Sequence, residues 1–188
     1  MPKIVALLCL IVALAPQAVA ARPGSPATAR LVPIHSETPA WFKESFLDLR
    51  DDVAEAARGG RRLMLYFHQE GCPYCAKFLK ENFDQPDVAN KTRRHFDVVA
   101  IDTLGAREVT GTDGRTVTEK EYAKVMNAAA TPTLIVFDEG GGVALRLVGY
   151  ASPRKFDLAM DYAIGRLEKV RPFADYLAAR GQGESKSR

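Results

Sequence analysis

Apolar and polar positions along the chain fall into blocks with different periods, and the periods separate helices from strands. From Pro39 to Ala57, Phe42, Phe46, Leu49, Val53 and Ala56 recur at helical spacing. Thr38 is placed to cap that helix, Pro39 suits its first turn, and Gly59-Gly60 ends it. Arg62 to His68 is a short apolar run of strand length. Continuous apolarity predicts a strand buried on both faces. After a turn at Gln69-Glu70-Gly71, Cys72 opens a segment whose Phe78, Leu79 and Phe83 form one apolar helical face. Pro73 lies where a helix tolerates proline, near its first position. Pro86 starts another short helix, and Phe96 to Ile101 is a second strand. This strand–helix–strand order implies parallel strands joined by a right-handed crossover.

Further along, Glu108 to Val117 contains Thr112-Asp113-Gly114, a hairpin turn signal. Thr118 and Glu121 have the spacing of a capping box that opens a helix to Asn127. The segment from Thr103 to Asn127 exceeds what the crossover needs. It reads equally as a substrate-selecting cap or as a tolerated surface insertion. Thr131-Pro132-Thr133 leads into a strand ending at Phe137, Asp138 to Gly142 turns the chain, and Val143 to Val148 returns antiparallel. Ser152 and Pro153 start a long helix with Phe156, Met160, Ala163, Leu167 and Val170 on one face. A short helix from Pro172 to Arg180 follows, and residues 181–188 form a polar tail expected to be disordered. The order of elements is α/β, with a mixed central sheet between helices.

The first twenty residues differ from the rest. Lys3 is their only charge, Ile4 to Leu14 is an unbroken apolar run, and Ala18-Val19-Ala20 has small residues at both outer positions. That layout predicts a cleaved secretory signal over residues 1–20, because the apolar run is shorter than the ~20 residues of a membrane span. Cys9 leaves with it on this reading. Residues 21–38 hold Pro23, Gly24, Pro26 and Pro33 and read as a linker, leaving residues 39–180 as one domain. With 47% hydrophobic residues the chain can build a sizeable core. Its net charge of +3 falls to +2 without Lys3, and basic residues are spread rather than clustered. Nothing resembles a nucleic-acid footprint, and a monomer is expected.

Without the signal only Cys72 and Cys75 remain. An exported chain sits where disulfides persist. A bridge across so short a loop constrains the unfolded chain little, so chemistry explains the pair better than stability does. Gly71-Cys72-Pro73-Tyr74-Cys75 lies between a buried strand and a helix start. Free backbone N–H groups there favour a thiolate at Cys72. Cys75 follows on the same helical face, placed to attack a mixed disulfide at Cys72. The competing readings are an inert bridge, or a metal site in which His68 and His95 join the cysteines. Tyr74 is expected at the helix start, in reach of substrate.

The run Leu65-Tyr66-Phe67-His68-Gln69-Glu70-Gly71-Cys72-Pro73-Tyr74-Cys75, followed by Thr131 to Asp138 and Val148-Gly149-Tyr150, resembles the thioredoxin superfamily. The resemblance covers most of residues 40–170. Within the superfamily the chain looks like exported bacterial thioredoxin-like proteins, including those of periplasmic sulfur-oxidation systems and the catalytic domains of disulfide isomerases. The resemblance implies a thioredoxin fold with an extra N-terminal helix and an insertion before the strand that follows a cis proline. It implies a cis Thr131–Pro132 peptide facing the cysteines, with Pro73, Tyr74, Thr131, Pro132 and Gly149 around the substrate. Cys72 would be the nucleophile and Cys75 the resolving thiol. No cofactor beyond this redox-active pair is implied. The expected partners are protein disulfides, with a membrane thiol-electron transporter as reductant and the periplasm as location. A disulfide oxidant or isomerase, and a metal-binding or chaperone-like module without turnover, are the alternatives. Two features depart from the thioredoxin pattern. Tyr66 stands where a buried acid is usual, and Gly71 where Trp is favoured. Cys-Pro-Tyr-Cys also resembles the glutaredoxin motif.

Overall fold

The apolar run Arg62–His68 forms strand β1, buried along nearly its whole length, and the rest of the fold is built around it. The structure is a computed structural model that describes residues 38–185. The expected signal, nearly all of the linker, and residues 186–188 lie outside the described residues. β1 pairs in parallel with β2 (Phe96–Asp102), in register from Arg62 opposite Phe96 to His68 opposite Asp102. On its other side β1 runs antiparallel to β5 (Thr133–Phe137), which pairs with β6 (Val143–Val148). The sheet order is β2-β1-β5-β6. A separate hairpin joins β3 (Glu108–Thr110) to β4 (Thr116–Thr118).

Alternation along β1 divides the core between two faces. Met64 and Tyr66 face a cluster with Phe78, Phe83 and Phe156, supplied by α2 (Pro73–Phe78), the π-helical turn Leu79–Phe83 and α5 (Pro153–Ile164). Leu63, Leu65 and Phe67 face a second cluster with Leu49, Val53, Val109, Tyr122 and Ile135. Helix α2, the π-helical turn and helix α3 (Pro86–His95) together make the β1-to-β2 crossover.

The N-terminal helix is shorter than the pattern predicts. α1 spans Leu49–Arg58, with Asp48 as its cap accepting the Arg50 N–H at 3.1 Å. Leu47 at φ 64° breaks the helix that Pro39 was expected to open. Phe42 therefore crosses to the other face, edge-on to Phe83 at 5.3 Å and to Tyr66 at 5.8 Å. Phe46 is fully exposed. Helical spacing was right for Leu49, Val53 and Ala56 and accidental for the two phenylalanines. The same correction applies after α5. Gly165 caps it and Arg166 takes φ 51°, so Leu167 enters a 3₁₀ turn and Val170 points to solvent. Conversely, α6 (Phe173–Ser185) runs past Arg180 into the segment expected to be a disordered tail.

The segment 103–127 closes the second face of the sheet. Val109 of β3, with Tyr122 and Ala123 of α4 (Glu119–Val125), packs in that cluster. Thr118 and Glu121 complete the capping box, with Thr118 Oγ1 accepting the Glu121 N–H at 3.3 Å. Buried Glu119 accepts from the Asp102 N–H at 3.0 Å and from the Arg107 guanidinium at 2.7 Å, tying the insertion to the end of β2. Among the described residues no helix is long and apolar enough to cross a membrane.

Buried Arg62 pins the start of β1. Its guanidinium donates to both carboxylate oxygens of Glu139 at 3.0 and 3.1 Å, to Glu168 at 2.8 Å, and to the Ala163 carbonyl at 2.7 Å. The Arg62 hydrogen bond holds the Glu139 carboxyl at about 2, below its ordinary 4.5. A depressed carboxylate adds stability that is present above the ordinary value and lost as pH falls toward the folded one. Urea unfolding between pH 4.5 and 2 is thus expected to show a stability loss that is smaller in Glu139→Gln than in the parent. Equal losses in both proteins would remove Glu139 as a source.

Candidate active site

The end of β1 delivers the chain through Gly71, at φ +72°, to Cys72, which caps α2 in an extended conformation. A Cβ at a positive φ is strained, so glycine suits this turn. Cys72 Sγ accepts the Cys75 N–H at 3.1 Å, satisfying one of the donors that a helix start leaves open. Pro73 occupies the first turn without loss, because its missing N–H has no helical partner there. Cys75 follows one turn later and is disulfide-bonded to Cys72, with Cα atoms 5.2 Å apart. Exposure distinguishes the two sulfur residues. Cys72 keeps 5% of its surface and Cys75 none.

The Thr131–Pro132 peptide is cis and lies against Cys72. Thr131 Oγ1 is 3.3 Å from Cys72 Sγ and the Thr131 carbonyl oxygen 3.6 Å from it, across 59 residues of sequence. Pro132 is buried and Thr131 partly open. Tyr74, 62% exposed, stands on the helix beside the pair. Gly149 takes φ +76° with open space where a Cβ would project. The arrangement joins an electrophilic disulfide at a helix start to a polar backbone segment beside it.

A family model described as a thioredoxin-like domain matches residues 49–164, a stretch that contains both cysteines and the cis proline. The chain belongs to the thioredoxin-like family. A thioredoxin-fold protein from Helicobacter pylori is 17% identical over 73% of this chain and 92% of its own, with a TM-score of 0.57. That likeness shows the shared fold. A thioredoxin from Thermus thermophilus is 24% identical over 62% of this chain and 83% of its own, with a TM-score of 0.49. The periplasmic thioredoxin SoxS from Paracoccus pantotrophus is 25% identical over 56% and 98%, with a TM-score of 0.39. No curated protein matches the chain. The thioredoxin-like domain and its Cys72–Cys75 pair make the protein a thiol–disulfide oxidoreductase.

The thioredoxin-like domain carries supports that the sequence did not reveal. Lys77 Nζ lies 4.6 Å from the centre of the Tyr150 ring, and the Tyr150 hydroxyl donates to Glu81. Buried Asn82, turned inward by the π-helical turn, donates to the Phe78 carbonyl at 3.1 Å and the Ala151 carbonyl at 3.3 Å. These contacts fasten the cysteine helix to the loop after Gly149. Helical spacing alone places Lys77, Glu81 and Asn82 on the surface; only the long-range partners Tyr150 and Ala151 give them a role.

Tyr66 is fully buried beneath the pair, with its hydroxyl 3.5 Å from the Cys75 carbonyl oxygen. Burial pushes its phenol far above the ordinary 10, so it stays neutral. His68 stacks on Tyr66 at 5.6 Å. His95 is elsewhere, beside Gly60, Arg62 and Arg166. The two histidines and two cysteines are not brought together, and no group of three or more His, Cys, Asp or Glu is placed to hold a metal among the described residues. A cleft of about 520 Å³ contains neither cysteine. It lies at the outer edge of β2, lined by Phe42, Lys43, His68, Ala100 and Arg107 among others.

Proposed function

We propose that this oxidoreductase acts in the periplasm and reduces disulfides of protein substrates. The observation that carries the reading is a reactive pair at a helix start facing the backbone of Thr131. An extended substrate strand can pair with that backbone by main-chain hydrogen bonds. Thr131 and Pro132 then orient the target disulfide over Cys72, with Pro73, Tyr74 and Gly149 bordering it. The reduced Cys72 thiolate attacks one substrate sulfur. A Cys72–substrate bond forms, the substrate disulfide breaks, and the departing sulfur takes a proton from solvent. The Cys75 thiolate then attacks Cys72 Sγ, which closes the Cys72–Cys75 bond and frees the second substrate thiol. Two electrons pass from the pair to the substrate. No cofactor other than the pair takes part, and the protein works as a monomer.

The location rests on the apolar run Ile4–Leu14 and the small residues at Ala18 and Ala20. The dithiol of a membrane thiol-electron transporter restores the reduced pair. Equilibration in dithiothreitol or glutathione buffers gives the direction. A potential near the thioredoxin value of about −270 mV supports reduction, and one near about −120 mV makes the protein an oxidant. Cell fractionation checks the compartment, with retention in the cytoplasm as the contrary result.

A further inference from the structure

In the closing step of exchange Cys75 must lose a proton, yet it has no exposed surface. Tyr66, below it, is a poor acceptor. A neutral phenol takes up a proton only with difficulty, and burial keeps it neutral. The proton therefore needs another group on the same side of the sheet.

We propose that His68 governs the protonation of Cys75. Three observations converge. β1 alternates its side chains, so His68 projects on the face of Tyr66, toward the cluster that holds Cys75. Its ring lies parallel to that of Tyr66, 5.6 Å away with 7° between planes, and the Tyr66 hydroxyl lies 3.5 Å from the backbone carbonyl oxygen of Cys75. The other side of His68 lines the 520 Å³ cleft, so the imidazole touches both the apolar packing under the disulfide and open solvent. No other titratable side chain of β1 does both.

The groups facing His68 suit proton exchange. Asp102 of β2 and Glu119 of α4 favour its charged form, and Arg107 and burial oppose it. Burial is the largest effect and leaves the imidazole below its ordinary 6.5, hence neutral and able to accept at pH 7. Lys43 and Glu44 line the same cleft, and Lys43 is committed to Asp52 and Glu55. The step balances as follows. The Cys75 S–H bond breaks and its proton reaches the imidazole by way of water. The electron pair left on sulfur forms the Cys72–Cys75 bond. The Cys72–substrate bond breaks, and the released substrate sulfur is protonated by solvent. The imidazolium returns its proton to water in the cleft. His68 thus acts through water as a positioning residue, without touching substrate.

The inference rests on the exchange reading, and 5,5′-dithiobis(2-nitrobenzoate) separates the two. Attack by Cys72 on this reagent releases one coloured thiol, and resolution by Cys75 releases a second. In His68→Gln the first release is expected to stay within about twofold of the parent, while the second slows at least ~10-fold at pH 7. The parent's second phase should also show an inflection below pH 6.5 that the variant lacks. His95→Gln should change neither phase. An unchanged second phase and pH profile in His68→Gln overturns the inference. Absence of the first phase in the parent overturns the exchange reading itself. If His68→Gln does not fold, the imidazole resonances of the reduced parent and of Cys75→Ser are titrated instead. The His68 midpoint should move between them, and an identical midpoint counts against the inference.

Discussion

Replacing Cys72 by serine lowers turnover on a protein disulfide by roughly three orders of magnitude or more. A serine hydroxyl at this helix start remains protonated at neutral pH and cannot open a disulfide, whereas a thiolate can. The fold should survive, because serine caps a helix well and can accept the Cys75 N–H that Cys72 Sγ now accepts. Cys75→Ser gives the opposite phenotype. Cys72 still attacks, but nothing resolves the adduct, and substrates accumulate as mixed disulfides. Turbidity of insulin during reduction measures the first effect. Non-reducing electrophoresis with mass spectrometry of the captured partners measures the second. Full activity in Cys72→Ser, together with no adducts in Cys75→Ser, would dismiss the mechanism. The asymmetry between the two sulfurs is already visible in their environments. Cys72 keeps a sliver of surface beside Thr131, and Cys75 is fully buried in the cluster that holds Tyr66 and Phe78.

Where local signals coincide, the sequence was a good guide to the molecule. β1, the crossover through α3, the capping box at Thr118 and the hairpin of β5 and β6 follow from short-range patterns that tertiary packing reinforces. The cysteine pair was legible for the same reason, since strand, turn and helix start are contiguous. Failures arose where backbone conformation overrode periodicity. Leu47 and Arg166 adopt left-handed φ, and each stops a helix that apolar spacing would have continued. No residue type announces this, because neither is Gly or Asn. The bond of the Lys43 N–H to the Val98 carbonyl at 2.8 Å, which holds residues 39–47 at the edge of β2, is equally invisible from spacing. The core role of the insertion was missed because Val109 and Tyr122 look like isolated apolar residues until α4 folds over the sheet. At the site, Tyr66 read as a departure. The parallel His68 ring and the cleft behind it give that departure a structural context.

The largest expected loss of stability comes from Arg62, at the end of β1 opposite the cysteines. Arg62→Ala should cost about 3–5 kcal/mol, the range for breaking a buried ion pair from one side. The guanidinium is 5% exposed and serves two carboxylates and a carbonyl at once. Its removal takes the guanidinium at 2.8 Å from partly buried Glu168, while Glu139 keeps Arg166 at 2.9 Å. Glu168 therefore accounts for most of the penalty. Arg62→Met with Glu168→Leu should recover most of it, because well-packed apolar residues replace a buried pair at little cost. Urea unfolding at pH 7 is the measurement. The midpoint falls in Arg62→Ala with the slope unchanged and rises again in the double variant. A loss below about 1 kcal/mol in the single variant would place the pair in the surface class. β1 is seven residues long and rises about 3.3 Å per residue, which separates Arg62 from the turn before Cys72 by most of the sheet. Exchange rates per folded molecule should therefore match the parent in both variants. If exchange fell with stability intact, the start of β1 would be coupled to the cysteines by more than the strand between them.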